Sequence, residues 1–132
     1  MVYFRRLIIY SSACLLFFAS IAFAEEGCDS PVNMMIISKV TDQKKYDAYR
    51  QSVGELNLIG KLGGKLVAVG AGSDVTPELL EGEWPSNLFN YIIRWPCRNA
   101  AHKFWYSDGY QNISKPLRAG AGDFTIALFP AD

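Results

Sequence analysis

The stretch Leu88–Gln111 reads LFNYIIRWPCRNAAHKFWYSDGYQ. Its first eight residues form an apolar, β-branched and aromatic run that suits a strand, and Pro96 closes it because proline donates nothing to a ladder. A helix then opens at Cys97 or Arg98, runs through Ala100, Ala101, Phe104 and Trp105, and is interrupted near Ser107-Asp108-Gly109. Between Arg94 and Gln111 stand the only histidine, His102, together with Cys97, Arg94, Arg98 and the aromatics Trp95, Phe104, Trp105, Tyr106 and Tyr110. A strand–helix junction this rich in functional groups is where chemistry would gather.

Working outward, Tyr110 to Leu117 extends the helix by a turn or two, with Pro116 bending or ending it, and Asp123–Phe129 is a last strand. Upstream, Val32–Val40 follows Pro31 as a first strand. Thr41 and Asp42 then offer cap oxygens. Tyr46, Tyr49, Val53, Leu56 and Ile59 recur every three or four residues, which predicts an amphipathic helix of about five turns ended by Gly63-Gly64. Lys65–Val69 is a short strand, and Gly70 to Ser86 is a loop with no readable period.

The order strand, helix, strand, strand, helix, strand gives two interleaved crossovers. These predict a ferredoxin-like α+β sandwich, a four-stranded antiparallel sheet with two main helices on one face. In that topology the first and third strands are central neighbours, which brings Cys28 toward Cys97. Strand residues Met34, Ile36, Ile37, Leu88, Tyr91, Ile93, Ile126 and Leu128 read as apolar on both sides of the pleat, whereas a sheet with one wet face alternates. The expectation is a homodimer, sheet against sheet.

The 132-residue chain opens like an address. Arg5 and Arg6 precede the apolar stretch Leu7 to Phe23, and Ala22-Phe23-Ala24 supplies a small-x-small cleavage signal. Residues 1–24 are read as a secretory signal peptide, the competing reading being an uncleaved membrane anchor. Residues 25–31 form a linker and 32–132 the domain. Once Arg5 and Arg6 leave, 11 basic residues face 13 acidic ones, which is no footprint for nucleic acid. A domain this small gains from a staple. Cys28 and Cys97 in an oxidising compartment are expected to supply one, while Cys97 as a nucleophile is the competing reading.

For chemistry, His102 is the natural acid–base group, with Tyr106 or Tyr110 as proton partner, against a reading of all three as surface or packing residues. Tyr46, Trp84, Tyr106, Tyr110 and Arg118 are the candidates to surround a small aromatic or anionic ligand. The bland reading makes Tyr106 and Tyr110 a hydrophobic pair and Arg118 an ion-pair partner of Glu81 or Glu83. One histidine and two pairable cysteines make no metal site, and no cofactor is expected. Asn112-Ile113-Ser114 matches a glycosylation sequon, within a predicted helix.

Val40-Thr41-Asp42 with Tyr46 and Tyr49, the Gly63-Gly64 pair, Leu80-Glu81-Gly82-Glu83-Trp84-Pro85, Trp95-Pro96-Cys97, and Ser107-Asp108-Gly109-Tyr110-Gln111 with Arg118 resemble domain-of-unknown-function family 1330. The resemblance implies a dimeric α/β-barrel subunit and assigns no reaction, since relatives in the wider superfamily include cofactor-free monooxygenases, haem enzymes and lactone isomerases. Against the expected family pattern the chain has Val69 in place of an arginine, and its interval from Tyr110 to Arg118 is one residue longer than that pattern implies. The leading expectation is an exported domain that binds a small molecule between sheet and helices. A cofactor-independent oxidoreductase or isomerase using His102 and a tyrosine is one alternative. A dimeric interaction module without ligand is another.

Overall fold

The computed structural model describes residue 28, residues 30–70 and residues 77–131. The expected signal peptide and most of the expected linker lie outside the described residues, as do residues 71–76 of the long loop. Strand β1, Val32–Val40, leads into helix α1, Gln43–Leu56, and the short helix α2, Leu58–Lys61; β2 is Lys65–Gly70 and β3 is Leu88–Trp95. Helix α3, Arg98–Trp105, precedes a π-helical segment, Gly109–Ser114, the single turn α4, Lys115–Leu117, and strand β4, Gly122–Pro130. The four strands form one antiparallel sheet in the order β2-β3-β1-β4. This is the ferredoxin-like arrangement, with Leu88–Trp95 beside Val32–Val40 as the crossover rule demands.

Register decides what each face carries. Met34 pairs with Ile93 and Leu128, and Ile36 with Tyr91 and Ile126. All six therefore project to the side covered by the helices, which corrects the expectation that these residues serve both faces. Of the residues read that way, only Ile37 and Leu88 belong to the uncovered side. That side is mixed: Met35, Ile92 and Phe129 share its parity with Asn33, Lys39, Asn90, Arg94, Asp123 and Thr125, while Phe129 is 48% exposed and Ile37 36%. The covered side holds the core, in which Val32, Met34, Ile93, Trp95, Ala101 and Phe104 are buried.

Asp42 caps α1, its Oδ1 accepting the Lys45 N–H at 3.1 Å, which satisfies one otherwise orphaned donor. The expected five-turn helix is in fact two. Asn57 adopts the left-handed conformation, φ 47° and ψ 32°, ends α1, and lets α2 start in a new direction. Asparagine tolerates that backbone better than any other non-glycine residue. The break sets Ile59 down beside Trp95. There Gly64 leaves no room for a side chain, since a Cβ on it would lie 2.8 Å from both Ile59 and the Trp95 ring.

Cys28 and Cys97 form a disulfide with their Cα atoms 4.8 Å apart. The bridge ties the approach to β1 to the residue that precedes α3, as expected from adjacent central strands. Cys97 is buried, so the nucleophile reading does not hold. Among the described residues, no helix is long and apolar enough to cross a membrane.

Candidate functional site

Between the covered face of the sheet and helices α1, α2 and α3 lies a cavity of about 260 Å³. Met34, Ile36, Ile93 and Ile126 form its floor, Tyr46, Tyr49 and Val53 one wall, and Phe104, Trp105 and Tyr110 another. Arg50, Gly54 and Leu66 line it and are exposed, so they mark its mouth. It is a largely apolar chamber with hydroxyl groups at few places, the usual character of a small-molecule site.

Those hydroxyls come in two groupings. Tyr49 Oη and Tyr110 Oη lie 3.2 Å apart and hydrogen-bond each other. Three residues along α1, Ser52 Oγ meets Ser114 Oγ at 2.8 Å, so the π-helical segment is fastened to α1 at two points. The second grouping is Tyr46, Tyr91 and Ser38. Burial, followed by the neighbouring Tyr91 hydroxyl, pushes the Tyr46 phenol well above its ordinary range. Burial likewise raises Tyr49, reinforced by Tyr110, and raises Tyr110 against the opposing pull of Tyr49 and Arg118. All three phenols are neutral donors at physiological pH. Ser38 is fully buried and lines the cavity; its hydroxyl lies by the Tyr46 phenol and opposes that phenol's rise, although no well-aligned hydrogen bond joins them.

Of the residues singled out from sequence, Tyr46 and Tyr110 line this cavity. Arg118 sits behind its wall rather than in it. Its guanidinium lies 4.5 Å from the Phe124 ring centroid and 5.5 Å from that of Tyr49, and its buried Nη1 has no partner. Arg118 is therefore held by aromatic faces, in place of the ion pair with Glu81 or Glu83. Trp84 is elsewhere: its Nε1 donates to Leu88 O at 3.2 Å and its ring approaches Gly70. Tyr106 is 71% exposed while Tyr110 is buried, so the two are no hydrophobic pair. Helix α3 ends at Trp105, and the i, i+4 relation of a continuous helix no longer applies to them.

His102 is also exposed and stands edge-on to Tyr106 with centroids 5.9 Å apart. Both border a second cavity of about 230 Å³ along β4, shared with Trp105, Ala127 and Leu128. The three residues considered for proton transfer are thus divided, with His102 and Tyr106 on one side of Trp105 and Tyr110 on the other. Among the described residues, no group of three His, Cys, Asp or Glu side chains is placed to hold a metal ion. Asn112 of the sequon is exposed, whereas its Ser114 is committed to Ser52.

Sequence reasoning passed over Tyr49, Tyr91 and Ser38 as site residues. Tyr49 was visible as the next member of the Tyr46 stripe. Ser38 had a fainter signal, a hydroxyl at inward parity between Ile36 and Val40.

Three solved structures place the fold among known ones. A protein of unknown function from Rhodopseudomonas palustris, RPA0582, superposes with a TM-score of 0.60 at 19% identity, covering 78% of this chain and 83% of its own. SnoaB, a cofactor-independent oxygenase from Streptomyces nogalater, gives 0.52 at 16% identity over 78% and 94%. A conserved protein from Methanosarcina mazei gives 0.50 at 14% over 80% and 96%. At these identities the likeness is one of fold, the dimeric α/β-barrel type of subunit. No curated protein matches the sequence. The model of the domain of unknown function DUF1330 matches residues 15–131, and the chain belongs to that family.

Proposed function

We propose that this protein is an exported, homodimeric small-molecule-binding domain, and that the ligand occupies the cavity between the sheet and helices α1, α2 and α3. The observation that carries the reading is the cavity itself: about 260 Å³ of apolar space walled by Tyr46, Tyr49 and Tyr110, whose phenols burial keeps protonated. Apolar walls supply affinity through surface removed from water, and a few neutral donors fix orientation. Export is supported by the Cys28–Cys97 bridge, since such bonds persist in oxidising compartments. Pairing through the uncovered sheet face is supported by Met35, Ile37, Ile92 and Phe129, apolar side chains on that face that water would cover only at a cost.

The enzymatic alternative, cofactor-independent oxidation or isomerisation, has the fold of SnoaB in its favour. His102 meets Tyr106 only at the cavity along β4, where both are exposed, and lies outside the chamber that Tyr110 lines. Binding is therefore the reading the geometry favours.

A thermal-shift series with small ring compounds tests it. A ligand at 100 times its Kd stabilises the folded state by about 2.7 kcal/mol, which raises Tm by roughly 10 °C or more for a domain of this size. A Val53→Trp variant, which fills the chamber, should abolish the shift while remaining folded. Equal shifts in the two proteins would place the ligand elsewhere.

A further inference from the structure

Among the described residues, the buried Ser38 Oγ lines the cavity without a well-aligned hydrogen bond. Ser38 lies on the central strand β1, its Cα opposite Phe89 on β3 and Phe124 on β4. Its side chain is 0% exposed and lines the chamber, and Oγ makes no well-aligned hydrogen bond, the Tyr46 phenol being its polar neighbour. A buried hydroxyl left in this state is a standing cost, because it gave up water and received little in return. Every other inward position of β1 is apolar: Val32, Met34, Ile36 and Val40. The serine interrupts a run that would pack at least as well with alanine or valine.

Resting on the cavity reading above, we infer that Ser38 Oγ is the anchor for an oxygen of the ligand, and that the ligand is a neutral two-ring compound bearing a hydroxyl or carbonyl. Size follows from volume. An apolar cavity of about 150 Å³ takes up one benzene ring, so about 260 Å³ suits two fused rings. Neutrality follows from the walls. A carboxylate would enter a chamber floored by Met34, Ile36 and Ile93, and burying an unpaired charge there is far more costly than burying a hydroxyl. The nearest guanidinium groups do not relieve that cost, because Arg50 is at the exposed mouth and Arg118 stands behind Tyr49 and Phe124. The Tyr49 and Tyr110 hydroxyls already serve each other, whereas Ser38 Oγ has only a poorly aligned Tyr46 phenol beside it and keeps capacity for a ligand oxygen.

The experiment uses three probes, 2-naphthol, naphthalene and 2-naphthoate, titrated calorimetrically into the wild-type protein and into Ser38→Ala, with unliganded Tm measured for both. The wild type should bind 2-naphthol about 3- to 10-fold more tightly than naphthalene, the worth of one hydrogen bond, and 2-naphthoate most weakly. In Ser38→Ala that preference should vanish while naphthalene affinity stays the same. The unliganded variant should melt at the same temperature or higher, since it loses a polar group that makes no well-aligned hydrogen bond. An unchanged preference in the variant, or a fall of several degrees in its Tm, would overturn the anchoring role. Tightest binding of 2-naphthoate would overturn the neutral class. Failure of all three probes to bind the wild type would instead refute the cavity reading, and the anchor would fall with it.

Discussion

Opening the Cys28–Cys97 bridge is the perturbation whose size the structure fixes most directly. The bonded residues are 69 apart in sequence and close a loop that contains β1, α1, α2, β2 and β3. In the chain-entropy treatment a loop of that length withholds about 15 cal/mol/K from the unfolded chain, or about 4 kcal/mol at 25 °C. A domain of this size has only about 5–15 kcal/mol in total. The cleanest variant is Cys28→Ser. Cys28 is exposed, whereas Cys97 is 1% exposed and keeps its packing when only its partner is replaced. Urea unfolding followed through the buried Trp95 should show a loss of about 4 kcal/mol, a Tm lower by roughly 15–30 °C, and a steeper denaturant dependence because the unlinked chain unfolds to a more open state. Reduced wild-type protein should behave like the variant. A difference under about 1 kcal/mol in both would refute the reasoning, since it would mean that the bridge restrains nothing the unfolded chain was free to do.

Three further outcomes follow from the packing. Gly122 has φ +148°, and a Cβ there would lie 2.1 Å from the Lys39 carbonyl oxygen. Gly122→Ala should therefore cost about 2–5 kcal/mol, against about 1 kcal/mol for Gly82→Ala, where φ is +79° but nothing lies within 4 Å; equal losses in chemical denaturation would count against the close approach. Tyr46, Tyr49 and Tyr110 hold their protons more tightly folded than unfolded. Their contribution is complete below about pH 10 and drains away as pH rises through the folded values, at no more than about 1.4 kcal/mol per pH unit for each phenol; urea midpoints that stay level from pH 10 to 11 would contradict this. Ile92→Lys puts a charge at the middle of the uncovered sheet face and should convert a dimer into a monomer in sedimentation equilibrium, while a wild type already monomeric at micromolar concentration would rule out the pairing.

The sheet was legible because strands announce themselves by apolar runs between Pro31, Gly63-Gly64 and Pro96, and because two crossovers of fixed hand leave β1 and β3 no other place than the middle. The disulfide followed from that placement. What escaped was local geometry that periodicity cannot see. The apolar stripe of α1 runs straight through Asn57, whose left-handed backbone leaves no trace in hydrophobic spacing. Tyr106 and Tyr110 looked like one helical face until the end of α3 put them on separate elements, one in solvent and one in the core. Trp84 lies in a loop without period, and only coordinates show that its indole serves the Leu88 carbonyl. Ser38 left only its inward parity as a signal: a small polar residue in a strand is ordinary, and its burial without a well-aligned hydrogen bond is what makes it informative.

The π-helical turn sets how the segment between Tyr110 and Arg118 is wound. The Lys115 N–H reaches back five residues to the Tyr110 carbonyl, where an α-turn would reach back four. The surplus is taken up as girth instead of length, so Tyr110 still meets Tyr49 and Arg118 still lies against the same ring. A shorter sibling would need only to wind this one coil more narrowly to present the same two side chains. Removing one residue from this segment would thus change helical phase, and the architecture on either side of it can stay as it is.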